Sequence, residues 1–304
     1  MINDIPGYET FTKVEPLNKG WSTDIKFRIE AADGRQLLLR VADINEYDRK
    51  KSEFEALELA ASLNVPVSRP VAFGLCHGGG KVYSLLSWLE GEDLRELLPR
   101  IPESEQYALG IKAGELMKRL HSLPAPENAE PWGPWFRSKT QGRIDFYNAN
   151  PIRSASGDII VSYLQRNCHL IDNRPQTFNH GDPGPSNLIL TPGGQVGAID
   201  FNCFNRDHGD PWWDFDFAVD GWGTEYLGHY CTGLLNGYFG GRPTDEFFRV
   251  NSYYMAYGAL AALCDTSVGN QGEPEIGRRH MENVMGWFNN MQNHVPPWYL
   301  ENYR

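Results

Sequence analysis

The residues best equipped for chemistry are His180-Gly181-Asp182-Pro183-Gly184-Pro185-Ser186-Asn187, followed thirteen residues after Asn187 by Asp200 within Ile199-Asp200-Phe201. Asp182 and Asn187 lie five apart on a loop whose glycines and prolines restrict its backbone, so both can face one point. The short apolar runs Asn187–Leu190 and Val196–Ile199 flank Pro192-Gly193-Gly194, a hairpin that would return Asp200 to the same place. Such a set suits phosphoryl transfer. One carboxylate accepts or orients the proton of an attacking hydroxyl, while an amide oxygen and a second carboxylate are hard ligands for Mg²⁺ against the phosphates. The competing reading is a polar turn with a helix cap at Asp182 and a buried Asp200.

These residues need a scaffold. Ile25, Phe27 and Ile29 alternate with Lys26, Arg28 and Glu30, the period of a strand. Asp33-Gly34 then reads as a turn and Leu37–Val41 as the second arm of a β-hairpin. Asp48–Leu63 is an amphipathic helix with Phe54, Leu57 and Ala61 on one face, ending near Asn64 before Pro66. Pro70–Gly74 and Lys81–Trp88 are two further strands around Gly78-Gly79-Gly80.

After Glu90-Gly91 the pattern becomes helical. Ser104–Leu120 carries Leu109, Ala113, Leu116 and Leu120 near helical spacing, Ala125–Pro134 reads as a loop, residues 158–170 as a helix, and the chain from Trp212 onward as helices. The expected fold class is α+β. A small β-rich lobe at residues 1–87 precedes a larger, mostly helical lobe at residues 88–304, and a small ligand is expected where they meet near Ser87–Gly91. No repeat or low-complexity segment is evident.

This combination resembles the aminoglycoside phosphotransferase family, whose bilobal fold is similar to that of protein kinases. The resemblance runs from about Leu17 to about Trp287 and rests on His180–Asn187, Ile199-Asp200, Gly209-Asp210-Pro211-Trp212-Trp213-Asp214 and Leu120-His121. It implies a small-molecule kinase that uses ATP or GTP and Mg²⁺, with Asp182 as catalytic base and Asn187 and Asp200 as metal ligands. It further implies that Arg40, on the third strand, contacts the phosphates and pairs with Glu53 of the following helix, an arginine where protein kinases carry lysine. Asn18–Asp24 would be the phosphate-covering loop, through Gly20 or through the backbone amide and hydroxyl of Ser22. The backbones of Ser87 and Leu89 would meet the adenine edge. His180 is expected to brace the loop, His121 to be structural, and Asp210 and Asp214 to fix the chain after the metal site. Gly181 stands where protein kinases carry the arginine that reads activation-loop phosphorylation, so no such switch is expected.

Acceptors of this family include aminoglycosides, other basic antibiotics, choline-like amines and small sugars. A net charge of −11 disfavours binding to nucleic-acid or anionic membrane surfaces and suits a cationic ligand. Candidate carboxylates for its ammonium groups are Asp207, Asp220, Glu225, Asp265 and Glu301. The expectation is therefore an enzyme that phosphorylates a hydroxyl of a small cationic molecule, foremost an aminoglycoside or related antibiotic, conferring resistance. The alternatives are a metabolic kinase of a sugar or amino alcohol, or a nucleotide-binding pseudokinase without activity. Two departures narrow the carry-over: Pro185 stands where some relatives have an acidic residue, and Asn202–His208 differs from the commonest antibiotic-kinase pattern.

Five widely spaced cysteines with no Cys-x-x-Cys fit reduced thiols in a cytoplasm. Met1–Phe11 has neither a basic stretch nor an apolar run, so no signal peptide is expected. The longest apolar stretch, near Met255–Cys264, falls short of the ~20 residues that span a bilayer. Gly-x-Ser-x-Gly, His-Glu-x-x-His and P-loop motifs are absent, which removes support for hydrolase and Walker-type readings.

Overall fold

The computed structural model describes residues 2–18, 23–201, 208–218, 227–269, 274–301 and 303. In chain order its elements are β1 (Phe11–Leu17), β2 (Ile25–Ala31), β3 (Gln36–Asp43), α1 (Tyr47–Ser62), β4 (Pro70–Cys76), β5 (Lys81–Ser87), β6 (Glu92–Asp93), α2 (Leu94–Leu97), α3 (Glu103–Leu120), α4 (Trp132–Ala149), α5 (Ala155–Asn167), β7 (Thr177–Phe178), β8 (Leu188–Leu190), β9 (Val196–Ala198), β10 (His208–Gly209), α6 (Asp214–Ala218), α7 (Leu227–Phe239), α8 (Asp245–Ser267) and α9 (Pro274–Trp287). They form two compact units. One is the first 96 residues with the segment that begins at His180, and the other is Leu97–Asn179 with the chain from His208 onward.

The first unit holds an antiparallel sheet in the order β1-β2-β3-β5-β4. Alternation along the strands puts Ile29, Leu37, Leu39, Val41, Tyr83 and Leu85 into one apolar core with Ile5 and Cys76. The residues between them, Lys26, Arg28 and Arg40, belong to the opposite face. Helix α1 lies against β3, β4 and β5 and buries Ala56, Leu57, Ala60 and also Lys50. The buried stripe is thus rotated slightly from the expected Phe54–Leu57–Ala61 face.

The expected boundary at residue 87 divides the chain differently from the packing. The hairpin β8–β9 pairs with β6, and the Ala198 N–H donates to the Pro66 carbonyl at 3.0 Å. A Cβ on Gly197 would stand 2.6 Å from that same carbonyl, so only glycine permits the approach. The segment carrying the proposed chemistry is therefore built into the first unit.

In the second unit α3 and α7 cross in close contact. Gly110 and Gly114 on α3 face Gly233 and Gly237 on α7, and a Cβ at any of the four would fall onto a backbone carbonyl of the other helix. Small residues four apart on both helices let the two backbones touch. Gly114→Ala is expected to force them apart and to lower the unfolding free energy by roughly 1–3 kcal/mol, measured by chemical denaturation. Gly142→Ala, in α4 with nothing within 4 Å of the added carbon, is the control and should be neutral or stabilising.

Helix α4 was not expected from the sequence, which reads as a loop through Pro134. The helix begins at Trp132 because Pro134 sits in its first turn, where a missing N–H costs nothing. Its Trp132 and Phe136 enter an aromatic core with Trp213 and Tyr254, at centroid separations of 5.2 Å for Trp132–Trp213 and 5.1 Å for Phe136–Tyr254. Among the described residues no helix is long and apolar enough to cross a membrane.

Candidate active site

The loop at His180–Asn187 is held by its own side chains. The Asp182 N–H donates to His180 Nδ1 at 3.2 Å, and the His180 ring, fully buried, lies against Phe201 with centroids 4.3 Å apart. Gly181 has φ of 89°, a left-handed conformation that an arginine at this place would adopt only with strain. Asn187 Nδ2 donates both to the Asp182 carbonyl and to Asp182 Oδ2, each at 2.9 Å. That orientation commits the amide nitrogen to Asp182 and leaves Asn187 Oδ1 as the atom able to face a cation.

The hairpin carries Asp200 back to this loop. The Ile199 N–H donates to the Asn187 carbonyl at 3.0 Å, so Asp200 follows directly on a residue tied to Asn187. Asp200 has φ of 58°, a left-handed conformation that aspartate tolerates better than most residues. The sequence-derived trio Asp182, Asn187 and Asp200 therefore comes from one continuous, internally bonded segment. A side-chain amide oxygen and a carboxylate form a donor set that fits Mg²⁺.

Arg40 joins that segment from β3. Its Nη1 donates to Asp200 Oδ1 at 2.6 Å, and its Nε and Nη2 both reach Asp24 Oδ2 at 2.8 Å. Burial alone would lower the Arg40 pKa, but Asp200, then Asp24 and Glu53, outweigh it, so the pKa rises and the guanidinium stays charged. Its cross-strand neighbour Lys26 is shifted downward, by burial first and by the Arg40 charge second.

The expected pair of Arg40 with Glu53 requires correction. Among the described residues the two form no direct ion pair. Glu53 instead receives Arg49 Nη1 at 2.6 Å and Lys50 Nζ at 2.9 Å, and Lys50 also donates to Asp24 Oδ2 at 2.8 Å. Asp24 and Lys50 are functional candidates that sequence reasoning passed over. Lys50 stood three residues before Glu53 on the inward stripe of α1, and Asp24 stood where the loop enters β2, so a charge on an otherwise apolar inward stripe was the available signal.

Other expected residues fall variously. The Ser87 N–H is donated to the Arg69 carbonyl at 2.8 Å, so of its backbone groups the carbonyl is the one that could meet an adenine edge. Leu89 makes no backbone hydrogen bond among the described residues and keeps both groups available. Asp265 is held by Arg143 through two bonds of 2.6 and 2.9 Å, and Glu301 by Arg242 at 3.0 Å. Both candidate substrate carboxylates thus already have cationic partners. Gly20, Ser22, Asp207, Asp220 and Glu225 lie outside the described residues. His121 is buried between Asp214 Oδ2 and the Tyr238 hydroxyl, each 3.0 Å from a ring nitrogen, which is a structural post.

Residues 13–248 match the APH phosphotransferase enzyme family. The chain belongs to this family, and with it to the small-molecule kinases. Solved structures repeat its protein-kinase-like fold. A protein from Ralstonia eutropha classed as an aminoglycoside phosphotransferase is 16% identical, with 93% of this chain and 95% of that one covered at a TM-score of 0.69. A choline/ethanolamine kinase family protein from Mesorhizobium loti is 18% identical over 95% and 94% of the two chains, TM-score 0.66. The GDP complex of aminoglycoside 2′-phosphotransferase-IIIa is 14% identical over 93% and 95%, TM-score 0.65. No curated protein matches the sequence.

Proposed function

We propose that this phosphotransferase moves the γ-phosphoryl group of ATP or GTP onto a hydroxyl of a small cationic molecule, an aminoglycoside or a related amine being the foremost acceptor. The observation that carries the reading is the bonded constellation of Asp182, Asn187 and Asp200, which supplies one carboxylate for the hydroxyl proton and two oxygen donors for a metal. Asp182 orients and accepts the proton of the attacking hydroxyl, with Asn187 Nδ2 fixing the carboxylate through Oδ2. Asn187 Oδ1 and the Asp200 carboxylate would hold Mg²⁺, which when bound neutralises phosphate charge. Arg40 supplies a fixed positive charge for the phosphates, and the Leu89 backbone meets the base.

Support for a cationic acceptor is the net charge of −11, which favours approach of ammonium groups. Neighbouring structures named for an aminoglycoside phosphotransferase and for the choline/ethanolamine kinase family share the fold, and two others are complexes with gentamicin or kanamycin. The deciding assay is ADP release with Mg²⁺ and ATP or GTP across aminoglycosides, basic peptide antibiotics, macrolides, choline, ethanolamine and neutral sugars. Stimulation by amines with sugars inert is expected, and mass spectrometry of the product locates the phosphate. Stimulation by a neutral sugar alone would overturn the cationic assignment.

Asp200→Ala gives a separate check on the metal role. It is expected to weaken binding of Mg²⁺–nucleotide by about tenfold or more while metal-free nucleotide binding changes little, as read by titration calorimetry.

A further inference from the structure

We propose that Lys50 and Asp24 are positioning residues that couple helix α1 to Arg40 through a relay of alternating charge, Arg40–Asp24–Lys50–Glu53, in place of a direct strand-to-helix ion pair. The inference rests on the reading of Arg40 as the phosphate contact.

One carboxylate oxygen, Asp24 Oδ2, accepts Arg40 Nε, Arg40 Nη2 and Lys50 Nζ, all at 2.8 Å. Lys50 Nζ then reaches Glu53 Oε2 at 2.9 Å. The two middle members are the most withdrawn from water, with side chains 0% exposed at Asp24 and 3% at Lys50, against 12% at Arg40 and 13% at Glu53. A buried lysine bridging two carboxylates is not a solvated helix charge, and its loss would leave Asp24 to Arg40 alone and Glu53 to Arg49 alone. Asp24 is correspondingly shifted: burial would raise its pKa, but Arg40 and Lys50 outweigh that and hold it below the usual carboxylate range.

The geometry gives each member a task. Arg40 has two anions to satisfy, Asp24 on one side and Asp200 on the other, and its guanidinium plane is fixed only while Asp24 is fixed. Asp24 immediately precedes β2, at the end of the loop expected to cover the phosphates. Lys50 pins it there. Glu53 lies three links from Arg40, so rotation or displacement of α1 reaches Arg40 through Lys50 and Asp24.

The test measures binding of a non-hydrolysable ATP analogue with Mg²⁺ by calorimetry, alongside thermal unfolding, in the full chain. Lys50→Met is expected to weaken analogue binding about tenfold, and Lys50→Arg to recover most of that loss. In the Arg40→Gln background the same Lys50→Met change should add less than about twofold, because the residue it positions is gone. A merely structural lysine would lower the unfolding temperature without this coupling. Folded Lys50→Met that binds within about twofold of the parent, or a loss of equal size in both backgrounds, would overturn the proposal. Should Lys50→Met fail to fold, Glu53→Gln probes the relay from its far end, and unchanged binding there is equally fatal. Arg40→Gln alone separates the two levels. Unchanged binding removes the role of Arg40 and the relay with it, whereas weakened binding with an inert Lys50→Met removes only the relay.

Discussion

Asp182→Ala is expected to lower turnover by about a thousandfold while leaving nucleotide affinity within about twofold. The size follows from what the side chain does. The carboxylate is fixed by Asn187 Nδ2 on Oδ2, so its deletion removes a positioned proton acceptor. The loop itself should survive. The Asp182 N–H to His180 and the Asp182 carbonyl to Asn187 are ties through the backbone that alanine keeps. Asn187 would lose one acceptor but retain the carbonyl, so its Oδ1 still faces the same way. Nucleotide binding depends on Arg40, Asp200 and Leu89 in this reading, and the Arg40 guanidinium is held by Asp24 and Asp200. Steady-state ADP release and calorimetry, run on a variant whose unfolding temperature matches the parent, check both halves. Turnover within tenfold of the parent would mean that another group takes the proton. Asp182→Asn makes the distinction finer, since it keeps the hydrogen bond to Asn187 and removes only the basicity.

How legible this site was depended on sequence distance. Asp182 and Asn187 are five apart on a restricted loop, and Asp200 follows a hairpin whose register is set by a handful of residues, so their convergence could be read from spacing. Arg40 and Asp200 are 160 residues apart, and no spacing rule predicts that they meet. The resemblance supplied Arg40 and Glu53 as a pair, but which helix residue touches which strand residue depends on the rotation of α1. That rotation brings Lys50 to Asp24 in place of Glu53 to Arg40. The helix itself was plain, predicted at Asp48–Leu63 and found at Tyr47–Ser62. Helix α4 was hidden for a different reason. Gly133, Gly142 and Asn148 weaken its intrinsic preference, and its stability comes from Trp132 and Phe136 packing into an aromatic core assembled from distant helices. The Gly110/Gly114 and Gly233/Gly237 crossing was equally invisible, because glycine in a helix reads as a defect until the partner backbone is known.

The largest effect on stability is expected at Asp210, on the Gly-Asp-Pro element that follows the proposed metal site. The residue is fully buried and carries four hydrogen bonds on its carboxylate. Arg174 Nε donates to Oδ2 at 2.7 Å, Arg174 Nη2 to Oδ1 at 3.4 Å, the Tyr254 hydroxyl to Oδ2 at 2.7 Å, and the Trp212 N–H to Oδ1 at 3.0 Å. Arg174 itself lies over an indole, its guanidinium 3.7 Å from the Trp212 ring centroid, with a second, exposed partner in Glu246. Asp210→Ala would strand that cation and the Tyr254 hydroxyl in a closed aromatic environment. The expected loss is about 3–5 kcal/mol of unfolding free energy, and on the order of 10 °C in thermal midpoint. Asp210→Asn should cost less, since the amide oxygen can still accept from Trp212 or Tyr254, but it leaves the arginine with only the exposed Glu246 as a charged partner. Combining Asp210→Ala with Arg174→Met should cost less than the sum of the two single changes, because the second removes the charge that the first strands. Denaturant unfolding of the four variants measures this cycle. A single Asp210→Ala within about 1 kcal/mol of the parent would show that Arg174 finds sufficient compensation in Glu246 and solvent, and that Asp210 only shapes the turn. If the loss is full-sized while analogue binding persists in the cold, then Asp210 serves the scaffold of the second unit, and the chemistry belongs to the segment from His180 to Asp200.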